Sequence, residues 1–141
     1  MPVFPSVEWF EALRQRVNAD PRLRELGSCD VRVGIQIDET YYEVVFEAFE
    51  CTQVRAISAA EAADCDFILA MPGKQWRDML ENIRTHHGAD RQHTLNSLEL
   101  PRILEVRETT DYSRRDKFYQ YNHTLQFFFD SAAQLDTTFA V

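Results

Sequence analysis

The stretch from residue 31 to residue 38 constrains this chain most. Val31, Val33, Ile35 and Ile37 alternate with Arg32, Gly34, Gln36 and Asp38. A period of two puts the apolar side chains on one face of an extended strand and the others on the opposite face. Such a strand belongs to a sheet with one face buried, and another part of the chain must cover that face. The residues before it change period to supply that cover. Trp9, Phe10, Leu13 and Val17 recur at helical spacing, behind Ser6 as N-cap and Glu8 in the first turn. Asp20-Pro21 then opens a short helix that stops at Gly27.

Asp38-Glu39-Thr40 is a polar break, after which Tyr41 to Phe49 returns as a hairpin partner. Val54 to Ile57 reads as a third strand, the alanines at 59, 60, 62 and 63 as a short turn or helix, and Phe67 to Met71 as a buried strand. Pro72-Gly73 opens a helix with Trp76, Met79, Leu80 and Ile83 as its apolar stripe, ending near His86-His87-Gly88. Leu95 to Leu100 reads as a further strand ended by Pro101, and Ile103 to Arg107 as short and irregular. A long helix is expected from about Arg114 to Ala133, with Phe118, Tyr121, Leu125, Phe128, Phe129 and Ala132 on one arc. Asp136 to Val141 reads as loose. This order of elements predicts the α+β class: one domain over 1–141, with a mainly antiparallel five-stranded sheet covered by helices.

Charge and motifs exclude several kinds of chemistry. With 15 basic against 23 acidic residues and a net charge of -8, nucleic acid is not an expected partner. No apolar run is long enough for an integral membrane helix. Met1 to Ser6 lacks the features of a signal peptide, so a cytoplasmic protein is expected. Cys29, Cys51 and Cys65 are then reduced thiols and small core residues. Neither glycine-rich phosphate motif occurs, and no cofactor is expected. His86, His87 and His93 lie near Asp90, but adjacent helical histidines point about 100° apart. With no zinc motif, they read as a solvated helix end and not as a metal site. No nucleophile motif occurs, and no catalytic residue is assigned. The eight acidic residues from Asp38 to Asp66, against Arg55 alone, read as a solvated sheet face.

Particular residues carry a resemblance. They are Ser6-Val-Glu-Trp-Phe-Glu-Ala-Leu13 with Asn18-Ala-Asp20 and Leu26, the alternating strand at 31–38, and Asp64-Cys-Asp-Phe-Ile-Leu-Ala-Met-Pro72 followed by Trp76 and Leu80. Together they resemble the sterol carrier protein type 2 family of small lipid-binding domains, its bacterial members in particular. The pattern covers residues 6–88. It implies a sterol-carrier-like fold that holds an apolar small molecule (a lipid, fatty acyl chain, sterol or isoprenoid) between sheet and helices, with no covalent step. After residue 88 the chain departs from the family, which closes with a short strand and a compact terminal helix. Here Leu95-Asn-Ser-Leu-Glu-Leu100 is followed by Pro101, an added segment and a long aromatic helix.

Trp76, Met79, Leu80 and Ile83 are the candidate ligand-binding residues of one wall, and Phe118, Tyr121, Leu125 and Phe128 those of the other. The same residues also suit ordinary packed core. Arg114 and Arg115 are candidates for an anionic head group. Tyr119 and Phe127 lie off the apolar arc and need a second partner: another element, a ligand or a second subunit. One alternative function is therefore a homodimerising or partner-binding module with Tyr119 and Phe127 in the interface. Another is a cofactor-free enzyme on a hydrophobic small molecule, with Asp or His as acid-base.

Overall fold

The structure, a computed structural model, describes residues 2–107 and 112–141, and the side chains of 2–107 and 116–141. β1 (Val3–Phe4) leads into α1 (Val7–Ala19). Ser6 caps α1, its Oγ accepting from the Trp9 N–H at 3.1 Å, and Trp9, Phe10, Leu13 and Val17 are buried as their spacing predicts. α2 (Arg22–Glu25) follows the Asp20-Pro21 turn, where Asp20 Oδ1 accepts from the Arg22 N–H at 3.0 Å.

β2 (Val31–Ile37), β3 (Thr40–Glu47) and β4 (Glu50–Ile57) form an antiparallel meander. β4 begins at Glu50, earlier than the expected Val54, because an irregularity at Val45/Phe46 restores its register. α3 (Ala59–Ala62) starts with a capping box, Ser58 and Glu61 each accepting from the other's backbone N–H. The chain then enters β5 (Phe67–Met71), which pairs parallel with β2. The sheet is thus mixed and not purely antiparallel. Its order is β4-β3-β2-β5 with a fifth strand beyond β5. α4 (Gly73–His86) ends at His87, whose φ of 58° is left-handed, and the Gly88 N–H donates to the Ile83 carbonyl at 3.0 Å.

From here the structure departs from four expectations. Residues 95–100 are helical: α5 (Leu95–Glu99) is capped by Thr94, whose hydroxyl accepts from the Ser97 N–H at 3.1 Å. Leu95 and Leu98, three apart, are buried, whereas Leu100 is 82% exposed. The apparent alternation of Leu98 and Leu100 therefore misleads. The fifth strand is β6 (Glu105–Arg107), inside the segment expected to be irregular. The last long helix is two helices, α6 (Tyr112–Gln120) and α7 (Asn122–Asp130), broken at Tyr121 (φ -108°, ψ 16°). A 3-10 turn over Ser131–Gln134 follows. Phe128 and Phe129, adjacent on α7 and about 100° apart, meet Phe46 and Trp76. Finally, the terminus is not loose. β7 (Thr138–Phe139) pairs parallel with β1, and Thr138 and Ala140 donate to the Pro2 and Phe4 carbonyls at 3.1 and 2.8 Å.

The inner face of the sheet carries Val33, Ile35, Ile37, Val44, Phe46, Phe67, Leu69 and Met71, all buried. Helices α1, α4, α6 and α7 contribute Trp9, Phe10, Trp76, Met79, Phe118 and Phe128 to the same cluster. Each such side chain stabilises the fold by about 1.5–3 kcal/mol. Of the eight acidic residues expected on a solvated face, one is buried. Glu43 is only 2% exposed. Its carboxylate accepts from Arg55 Nε at 2.8 Å, with Arg32 Nε at 3.5 Å and the Cys65 thiol at 3.8 Å. All three cysteines are buried thiols outside any disulfide, and burial pushes each up to about 12.

α4 begins where the chain has no room for a side chain. The Gly73 N–H donates to Asp38 Oδ1 at 2.8 Å. A Cβ there would stand 2.5 Å from Asp38 Oδ2 and 2.9 Å from Val141 Cγ1. Gly73→Ala is expected to destabilise the protein by about 1–3 kcal/mol, read as a lower urea midpoint. An unchanged midpoint would show that the β2–β3 turn and the C-terminus give way freely.

Candidate functional site

The eight expected wall residues lie in one layer between the sheet and the helices. On α4, Trp76, Met79, Leu80 and Ile83 are buried, and Trp76 Nε1 donates to the Gln36 carbonyl at 2.9 Å. Phe118 of α6 meets Phe67 of β5 edge to face, centroids 5.8 Å apart. Phe128 of α7 meets Phe46 of β3 at 5.6 Å in the same manner, and Phe129 lies 5.4 Å from Trp76. Leu125 is buried beside them, and Tyr121 is partly buried against the cluster. Such ring pairs contribute about 0.5–1.5 kcal/mol each beyond the area they bury.

This layer is packed. Five concavities of the described surface are lined by other residues. The largest of these, about 410 Å³, lies between the α1–α2 turn and the β3–β4 hairpin, with Asn18, Leu23, Arg24 and Phe49 among its lining. Phe127 is half-buried against the core, and the Arg22 guanidinium stands 5.4 Å over its ring. Tyr119 is half exposed, with its hydroxyl 3.4 Å from Glu99 Oε1. The side chains of Arg114 and Arg115 lie outside the described residues.

Two polar features escaped the sequence reading. Asn122, first residue of α7 after the Tyr121 break, has a side-chain oxygen sealed from solvent without a hydrogen-bond partner. Nothing in the sequence marks it, because only the kink between the helices turns it away from water. The second feature is a pair of polar clamps that tie residues 88–95 to the helical layer. Asn82 and Asp90 exchange two hydrogen bonds of 2.9 Å. Asp130 accepts from the Ala89 N–H at 3.0 Å and from Gln126 Nε2 at 2.9 Å, and Gln126 Oε1 accepts from the Leu95 N–H at 2.7 Å.

His93 completes the first clamp. Its Nδ1 lies 2.6 Å from Asp90 Oδ1 and its Nε2 lies 3.1 Å from Asp78 Oδ2. Both ring nitrogens face carboxylates, so the doubly protonated imidazolium satisfies both. The hydrogen bond to Asp90 raises the His93 pKa, and the same bond holds the Asp90 carboxyl down to about 2. His93 therefore contributes stability fully below its ordinary value of about 6.5, and loses it as pH rises through the raised folded value. Asp90 contributes above its ordinary value near 4 and loses its contribution as pH falls toward about 2.

No family model matches the chain, and no curated protein matches it. Two solved structures share its fold. A structure titled sterol carrier protein 2 superposes with a TM-score of 0.71 at 14% identity, over 93% of this chain and 98% of that one. A structure titled UbiJ-SCP2 ubiquinone synthesis protein superposes with a TM-score of 0.53 at 19% identity, over 94% of this chain and 93% of that one. The chain thus has the sterol carrier protein 2 fold along nearly its whole length, including the part after residue 88. Among the described residues, no helix is long and apolar enough to cross a membrane.

The His93 clamp predicts a pH dependence. His93→Gln is expected to flatten the loss of stability above about pH 6.5, followed by urea midpoints across that range. A variant with the parent slope would show that the two carboxylates do not hold the imidazolium.

Proposed function

We propose that this protein binds a small apolar ligand of fatty acyl, sterol or isoprenoid type, and that it catalyses no reaction on it. One observation carries the reading. The layer between the inner sheet face and helices α4, α6 and α7 is closed by apolar contacts such as Phe67–Phe118, Phe46–Phe128 and Trp76–Phe129. An apolar ligand entering that layer exchanges like contacts for like, with no polar group stranded. The shared fold supports the reading, since one structure with this fold is titled a sterol carrier protein and the other a ubiquinone synthesis protein.

Trp76, Met79, Leu80 and Ile83 line one wall of the proposed site, and Phe118, Tyr121, Leu125 and Phe128 the other. The ligand enters by parting α6 from α7 at Tyr121, where the long helix is already broken. Asn122 then meets the ligand's hydroxyl, since its side-chain oxygen lacks a donor in the closed layer. Leaving such an acceptor unpaired costs about 1–3 kcal/mol, which a bound hydroxyl offsets. Arg114 and Arg115, in the first turn of α6, meet an anionic head group.

Native mass spectrometry of the protein from its expression host, beside a denatured control, is the first test. A bound species lost on denaturation and extractable into organic solvent is the expected result. The second test is titration with a fatty acid, a sterol and a short-chain isoprenoid quinone, followed by tryptophan fluorescence in a Trp9→Phe background so that Trp76 reports. A shift on binding is expected, and Asn122→Val should weaken a sterol bearing a free hydroxyl about five-fold while leaving its methyl ether unchanged. No bound species and no fluorescence change with any of the three probes would overturn the reading.

A further inference from the structure

The sheet has two edges, and the chain treats them differently. At the β4 edge, Asn18 Oδ1 accepts from the Cys51 N–H at 2.8 Å. Asn18 Nδ2 and Arg14 Nη1 donate to the Cys51 carbonyl at 2.8 and 3.3 Å. These side chains from α1 occupy the outward groups of Cys51, near the start of that edge. At the other edge, among the described residues, no strand pairs with the outer side of β6. A concavity of about 340 Å³ runs along it, lined by Glu99, Arg102, Leu104, Glu105, Val106 and Arg107. Just before the strand, Leu100 and Ile103 are exposed apolar residues.

An open edge is a template for a further strand, and proteins often protect it with charged side chains. The charges on β6 are of both signs. Glu105 and Arg107 stand on the same face, Arg107 Nε 3.6 Å from Glu105 Oε2, and both are well exposed. Within one chain such an exposed pair adds little stability.

We propose that β6 pairs antiparallel with β6 of a second copy of this chain, about a twofold axis through Val106. With Val106 opposite its own mate, Glu105 of each protomer faces the partner's Arg107. Two cross-strand ion pairs form from one self-complementary patch. In an antiparallel ladder each residue directs its N–H and C=O to the same side, and its neighbours direct theirs to the other. The register through Val106 satisfies the edge in either case. Either Val106 exchanges both bonds with its mate, or Glu105 exchanges both with the partner's Arg107. A twofold axis through Glu105 or Arg107 would oppose like charges, so the charge pattern selects Val106. Each copy carries a net charge of -8, and long-range repulsion opposes association. This edge is a place where the charges of two copies cancel. Leu100 and Ile103 add apolar area beside the ladder. A strand of three residues makes a small contact, so the dimer is reversible and depends on concentration.

Sedimentation velocity on the full chain over a concentration series tests this. A reversible monomer–dimer equilibrium is expected. Glu105→Arg places arginine opposite the partner's Arg107, and Arg107→Glu places glutamate opposite the partner's Glu105. Each single change should weaken the dimer about ten-fold. An equimolar mixture of the two variants should recover the parent affinity as a heterodimer, because opposite charges then face each other again. Both side chains are exposed, so unchanged unfolding midpoints will show that the variants fold. A monomer at every concentration would overturn the proposal. So would a dimer that both variants leave intact, or one that Phe127→Asp dissociates while the edge variants do not. A monomer that still binds its apolar ligand would leave the proposed function standing.

Discussion

The rest of the structure depends on burial of one face of the sheet. Val33, Ile35 and Ile37 cannot face water together, and the helices exist largely to cover them and their neighbours. Short helices gain little from their own hydrogen bonds and owe their stability to packing. α6 and α7 illustrate this, since each is nine residues long. Phe118 holds the first to Phe67, and Phe128 and Phe129 hold the second to Phe46 and Trp76. The break at Tyr121 falls between these anchors. An interior built this way has a seam at Tyr121.

The outer face follows a different logic. There Glu43 is buried between two arginines under the α3 crossover. A buried carboxylate is costly unless paired, so this cluster favours one placement of α3 and of the 63–66 loop more than it adds net stability. It also leaves Cys65 in a setting that disfavours a thiolate, with desolvation as the larger cause and the Glu43 carboxylate as the next. The chemistry that a cysteine could offer is suppressed there.

The polar clamps explain how the divergent part of the chain is accommodated. Residues 88–95 lead away from the region that resembles known carriers. They are tied back to α4 and α7 by Asn82, Asp90, Gln126 and Asp130. The tie lets α5 and β6 take their places without an added core. β6 then ends the sheet with an edge that β5 alone covers on one side. The inner layer and this edge are separate parts of the fold, so the proposed ligand site and the proposed dimer contact do not depend on each other.

Much of the architecture was legible in the residues themselves. The period of two at 31–38, the cap at Ser6, and the stripes on α1 and α4 report local geometry, and local geometry is what a sequence encodes directly. The family resemblance over residues 6–88 pointed to the fold that the solved structures share. Other features came only with the tertiary structure, because each depends on residues distant in the chain. Leu95–Glu99 looked like a strand until burial selected Leu95 and Leu98 over Leu100. Three residues at 105–107 carry too weak a pattern to mark a strand, and β5 supplies the pairing. The last residues looked loose because their partner, β1, lies at the other end of the chain. Asn122, Glu43 and the β6 edge, unpaired among the described residues, are of the same kind. Whether a polar atom is sealed or a strand left unpaired depends on what packs beside it, and only the folded chain decides that.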